Sequence, residues 1–143
     1  MKTQYNQYAF LITRKLGLGL THYCSTGKDG KRFRMKRVTA RKKFIAKLRA
    51  FKEWLKEART LKTSELWEIA KSKLRGHFNY YGVTDNSHGI ARFGHEVKKL
   101  LFKWLNRRGK RNCITWEKFN KMLERFPLPK PRIKVSMFQF AVN

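Results

Sequence analysis

Acidic residues are scarce in this chain: nine Asp and Glu stand against 35 Lys and Arg in 143 residues, leaving a formal net charge of +26. Metal-dependent polymerases and nucleases need clustered carboxylates to hold their ions. The nine here are scattered: Asp29, Glu53, Glu57, Glu65, Glu68, Asp85, Glu96, Glu117 and Glu124. Glu53/Glu57 and Glu65/Glu68 are helical neighbours among lysines and read as surface ion-pair partners. Cysteine is also scarce. Cys24 and Cys113 give no disulfide framework and no Cys-x-x-Cys, which excludes a zinc finger and fits a reducing compartment. His22 beside Cys24, and His88 two helical turns from His95, are too few for a metal site, and no third group orients a His22–Cys24 nucleophile pair. No cofactor and no metal are expected. No run approaches the roughly 18 apolar residues of a membrane span, and Tyr8–Ile12 is too short for a signal sequence. The reading is cytoplasmic, with no membrane partner.

What is present is apolar and basic. Residues are 41% hydrophobic and 14% aromatic, far above the content of disordered chains. The length supports one domain with a modest core. A charge of this size repels itself in a compact state, so a polyanionic partner relieves the strain. A folded, basic, nucleic-acid-binding surface follows.

Along the chain, Tyr8–Thr13, Leu18–Cys24 and Lys31–Val38 read as short strands. A turn cluster, Ser25-Thr-Gly-Lys-Asp-Gly30, joins the last two into a hairpin. Phe33 and Met35 alternate with Arg34 and Lys36, as in a half-buried strand. Thr39 is placed as the cap of a helix reaching about Arg59, with Phe44, Leu48, Phe51 and Leu55 as its apolar stripe. Its opposite face carries Arg41, Lys42, Lys43, Lys47, Arg49, Lys52 and Lys56. Thr63 or Ser64 caps a second helix with stripe Leu66, Trp67, Ala70, Leu74, Phe78 and Tyr81. After a polar turn, Ser87 opens a third helix to about Arg108, ended by Gly109, with stripe Ile90, Phe93, Val97, Leu100, Leu101, Trp104 and Leu105. Thr115 caps a short fourth, with Trp116, Phe119, Leu123 and Phe126 inward. Pro127, Pro129 and Pro131 force an extended segment, in which Ile133, Val135 and Met137 alternate like a last strand.

The stretch Leu74–Val83, Leu-Arg-Gly-His-Phe-Asn-Tyr-Tyr-Gly-Val, joins packing to chemistry. Leu74, Phe78 and Tyr81 share an apolar side. Arg75 and Asn79 lie on another, His77 and Tyr80 on a third. Gly76 costs about 1 kcal/mol against alanine in a helix, which makes sense where a second helix or a phosphate backbone comes close. Gly82 ends the helix. His77, Asn79 and Tyr80 are suited to stack on unpaired bases or bond to sugars. The candidate nucleic-acid contacts are Arg41, Lys42, Lys43 and Arg49 on the first helix. The second contributes Lys71, Lys73, Arg75, Gly76, His77, Asn79 and Tyr80. The third and its following loop contribute Arg92, Lys98, Lys99, Lys103, Arg107, Arg108, Lys110 and Arg111. Packed as a bundle, these helices combine their cations into one extended positive surface.

Leu74–Val83, with Asn86-Ser87, Ala91-Arg92-Phe93 and Phe102-Lys-Trp-Leu-Asn-Arg-Arg108, resembles bacterial group II intron reverse transcriptase/maturases. Trp116-Glu-Lys-Phe119 and Leu123-Glu-Arg-Phe-Pro-Leu-Pro-Lys-Pro-Arg132 resemble the end of the same proteins. The resemblance covers about residues 18–138 and falls on the maturase-specific region, called domain X or the thumb. Leu18-Gly19-Leu20-Thr-His-Tyr23 is similar to a segment at the last palm strand, with Leu at two positions where the family has Phe. The Tyr-x-Asp-Asp polymerase motif, the fingers and the rest of the palm are absent, as is a Cys-rich endonuclease domain, and residues 1–17 do not match.

The resemblance implies a mainly α, thumb-like bundle of three long helices and a short fourth, with an N-terminal β-hairpin. Residues 1–38 would be a palm-edge remnant, 39–126 the maturase-specific bundle and 127–143 a Pro-rich extended segment. It implies a domain that binds group II intron RNA and promotes its folding and splicing, and that is not an enzyme alone. The alternatives are the thumb of a split or truncated RNA-directed DNA polymerase, which would bind template–primer or a separate palm/fingers subunit, a general basic nucleic-acid-binding protein, and a decayed remnant.

Overall fold

The computed structural model of the protein describes residues 19–26, 31, 33–108 and 113–136. The strand reading of Tyr8–Thr13, most of the hairpin turn, Gly109, Lys110, Arg111 and Met137 lie outside them, as does the side chain of Arg108. Among the described residues, two antiparallel strands, β1 (Leu20–Thr26) and β2 (Phe33–Thr39), precede four helices. These are α1 (Arg41–Glu57), α2 (Thr63–Tyr81), α3 (Ser87–Arg108) and α4 (Trp116–Arg125), with a single 3-10 turn, Ala58–Thr60, after α1. The fold is mainly helical with a hairpin in front, as the patterning predicts. Among the described residues, no helix is long and apolar enough to cross a membrane.

The core is built on α2 and α3. Their i, i+3/i+4 stripes bring Leu66, Ala70, Leu74 and Phe78 against Ile90, Phe93, Val97 and Leu101, all buried. Phe51 and Leu55 of α1 and Phe119 of α4 close it. Phe119 is fully buried, a contribution of about 1.5–3 kcal/mol on the scale of apolar side-chain burial. The Trp67 indole N–H donates to the Phe126 carbonyl at 3.0 Å and fixes the end of α4. Trp104 does the same for α1, donating to the Leu55 carbonyl at 2.8 Å.

Several boundaries differ from the sequence reading. Thr39 is the last residue of β2, paired with Leu20, and Ala40 stands at the start of α1 without a side-chain cap. Lys62, not Thr63 or Ser64, precedes α2, again uncapped by a side chain. Thr115 does cap α4, its hydroxyl accepting from the Lys118 N–H at 3.4 Å. Trp116 and Phe126 remain 44% and 49% exposed; Trp116 lays one face on the Phe102 ring, centroids 3.9 Å apart, and Phe119 is the residue of α4 that is buried. Ile133 and Val135 form no ladder strand. The segment instead makes one parallel bridge, Val83 to Val135. In β2 the apolar side chains take the outward face: Phe33 is 74% and Met35 44% exposed. The opposite face is drawn inward by Arg34, whose guanidinium meets Asp85 at 3.0 Å.

Gly19 and Gly82 are among the glycines this architecture fixes. Gly19 enters β1 with φ +68°, a conformation that side chains disfavour, and its carbonyl accepts from the Ala40 N–H at 2.9 Å. Gly82 ends α2 with φ −76°, so handedness is not its reason. A Cβ there would strike the Phe78 carbonyl and come within 2.8 Å of the Arg132 carbonyl. Its own carbonyl receives the N–H of Lys134 at 2.7 Å and of Val135 at 3.1 Å.

Asn86 ties these parts together. It is fully buried, and its amide accepts from the Thr39 N–H at 2.9 Å. It donates to the Thr39 hydroxyl at 2.8 Å and to the Tyr81 carbonyl at 2.9 Å. One side chain thereby joins the end of β2, the end of α2 and the start of α3, with all its buried polar atoms satisfied. Asp85, beside it, adopts φ 75°, which Asp tolerates better than most residues.

Candidate nucleic-acid interface

α1 and α2 both lean on α3 and leave a cleft of about 540 Å³ between them. Lys43 and Lys47, one turn apart on α1, face Lys73, Gly76 and Tyr80 of α2. Phe51, Tyr81, His77 and Phe93 supply its apolar wall and floor, and Gly19 closes one end. Lys73 also reaches across to α1, its ammonium 5.0 Å from the centre of the Trp54 ring. Among the described residues no carboxylate lines this cleft.

A second cleft, about 380 Å³, opens between α1 and α3. Lys52, Lys56 and Arg59 line it from the α1 side and Lys103 and Arg107 from α3, over Leu55, Leu100 and Trp104. No carboxylate lines it either among the described residues. Lys56 meets Glu53 on its own helix at 2.9 Å. With five cations around a small apolar floor, the second cleft suits phosphate oxygens.

His77 needs a correction. The helical wheel offers it beside Tyr80, but the structure buries it, leaving 8% exposed. Its ring stacks on Phe93 with centroids 3.5 Å apart and an 11° tilt. Burial, reinforced by the nearby Lys47 charge, lowers its pKa from 6.5 to about 4. His77 is therefore a neutral aromatic at pH 7, and it reaches the cleft only as part of the floor. At Gly76 no second helix comes close: a Cβ built there meets nothing within 4 Å.

Of the remaining candidates, the first cleft gathers Lys43, Lys73, Gly76 and Tyr80, and the second Lys103 and Arg107. Arg41, Lys42, Arg49, Arg75 and Asn79 are exposed outside both. Arg92 lies over the Phe44 ring at 5.3 Å. Lys71 meets Glu68 at 2.7 Å and Lys99 meets Glu96 at 3.3 Å, while Lys98 is half-buried. Lys47, Lys52, Lys56 and Arg59 complete the clefts without being among the candidate contacts. The signal that finds them is the pairing of Lys43 with Lys47 and of Lys52 with Lys56 at one-turn spacing on a helix with a narrow apolar stripe.

His22 accepts from the Arg37 Nε–H at 3.0 Å, and burial together with the Arg37 charge lowers its pKa. Cys24 and Cys113 are free and exposed. Among the described residues, no three His, Cys, Asp or Glu side chains gather as a metal site would require.

The chain matches the model of the family described as "Group II intron, maturase-specific domain" over residues 41–123, more than half its length. The match starts at the first residue of α1 and ends within α4, so it spans the helical walls of both clefts. No curated protein and no solved structure matches.

Proposed function

The chain belongs to the group II intron maturase-specific domain family, and from that premise we propose that it binds group II intron RNA and promotes its folding into a splicing-competent form. The observation that carries this reading is the pair of cation-lined clefts on α1, with no carboxylate among their described lining residues. The mechanism is electrostatic. Lysines and arginines replace the counterions condensed on phosphates, and closely packed RNA helices then repel one another less. The ribozyme RNA performs the chemistry. On this reading the protein carries no polymerase activity alone, since the motif that holds polymerase metals is not in the sequence.

The test is binding of the full chain to a group II intron RNA and to an unrelated RNA of equal length, across a salt series. Tight, intron-selective binding is expected, with affinity falling by a log–log slope of about 0.7–0.9 per phosphate contact. Equal binding to both RNAs would reduce the protein to a general basic RNA-binding module.

A second reading, the thumb of a split reverse transcriptase, draws on the hairpin. Phe33 and Met35 sit on one exposed face, opposite Thr26 and Cys24 in the strand register. Exposed apolar side chains on a two-stranded sheet suit the addition of protein partners. DNA synthesis on adding a palm subunit, and none without it, would favour this reading.

A further inference from the structure

We propose that the cleft between α1 and α2 seats a single unpaired nucleotide of the bound RNA, its base against Tyr80 and its phosphates on Lys43, Lys47 and Lys73. The inference rests on the RNA-binding reading above and specifies what that surface recognises.

Gly76 is the first argument. It lies inside a nineteen-residue helix, where glycine is the least favourable residue after proline. Packing does not require it, because an added Cβ meets nothing within 4 Å. Nor does its backbone angle, since Gly19 is the one described glycine with positive φ. What the missing side chain does is keep the α2 wall clear where it faces Lys43 and Lys47. A bound group that lies flat against this wall gives the glycine a purpose.

The lining is the second argument. A nucleotide offers a flat apolar base and an anionic phosphate, and this cleft offers both complements. Tyr80 is 53% exposed at its edge, and a base stacks on such a ring whatever its identity. Tyr81, Phe51, Phe93 and the neutral ring of His77 close the cleft beneath it and are themselves buried, so Tyr80 is the ring left open to a base. Three lysines stand at the same cleft with no carboxylate among its described lining residues to compete for them. The volume of about 540 Å³ falls within the range of small-ligand sites. A regular duplex keeps its bases stacked inside, so it could use the lysines and leave the Tyr80 ring uncovered. An unpaired nucleotide uses both.

The second cleft sets the contrast. It carries more cations, but its one aromatic, Trp104, is 7% exposed and engaged with the Leu55 carbonyl. It fits phosphate without a base.

The experiment uses the full chain and two RNA hairpins, one fully paired and one identical except for a single bulged nucleotide. Affinities are measured for the wild type, Gly76→Leu and Tyr80→Ala, with urea unfolding of each variant as a check on folding. Leucine at position 76 projects into the cleft without removing charge. The wild type should prefer the bulged hairpin by about tenfold, the scale of one stacked base. Both variants should lose the preference and bind the two hairpins alike. Equal affinity of the wild type for the two hairpins, or persistence of the preference in either variant, would overturn the nucleotide site while leaving RNA binding intact. No binding to either hairpin would overturn the RNA-binding reading itself, and the nucleotide site with it.

Discussion

The two clefts that share α1 are both basic, yet they are built from opposite uses of the same residue types. Between α1 and α2, the large aromatic Tyr80 is left in solvent and a glycine replaces a side chain. Between α1 and α3, the large aromatic Trp104 is buried and hydrogen-bonded to α1. At the first cleft the Tyr80 ring is available to a ligand. At the second it holds the helices together, and only the cations remain for a partner. Charge alone does not separate the two; the exposure of the ring does.

Substitutions at the two rings should break this contrast if it is wrong. Trp104→Ala removes a buried indole and its hydrogen bond, and should cost about 3–5 kcal/mol in urea unfolding. Tyr80→Ala should stay within about 0.5 kcal/mol of the wild type, as for a surface change. Equal stability losses would show that both aromatics are structural.

The floor of the first cleft gives a pH signature. The folded His77 pKa is lowered to about 4 from 6.5, so between those values the unfolded chain binds more protons. The stability His77 confers is complete above pH 6.5 and is lost as pH falls through the window to 4. From pH 7 to 4.5 the loss should be roughly 2 kcal/mol. His22, whose pKa is also lowered, adds in the same direction. Urea titrations at several pH values check this, and His77→Gln should remove most of the slope.

Removing Lys52, Lys103 and Arg107 together tests the second cleft. The log–log salt slope of RNA binding should fall by about 2–3. Affinity should drop alike for paired and bulged hairpins, with stability unchanged to about 0.5 kcal/mol. A selective loss for the bulged RNA would give both clefts the same role.

The smallest effect expected is a gain. Gly76→Ala should raise stability by up to about 1 kcal/mol, since the methyl meets no neighbour and the unfolded chain loses freedom. No gain, or a loss, would mean that Gly76 carries a structural constraint and would weaken the contrast between the clefts.

Much of the helical framework was legible from periodicity. The stripes of α2 and α3 were read almost residue for residue, because each presents a broad apolar face to the core. α4 was read less well. With few residues to average over, two aromatics that fit the wheel, Trp116 and Phe126, turned out exposed. The same weakness affects β2, where period-2 alternation identified two faces but not which one points inward. Arg34 and its partner Asp85, 51 residues away, decided that. His77 was misplaced for a related reason: a wheel shows which side of α2 it occupies, not that Phe93 comes to cover that side.

The sequence by itself determined the sign of the surface, because 35 cations against nine acids fix it whatever the fold. It also determined the helices, since their stripes are local properties of the chain. Tertiary structure alone decided the clefts. Lys43 and Lys47 face Lys73 and Tyr80 only because α1 and α2 are held on α3, with Asn86 joining β2, α2 and α3 through three hydrogen bonds. Nothing local marks that asparagine as more than a turn residue. Its role depends on groups 47 and five positions before it in the chain, and the longer of these contacts exists only once the chain has folded.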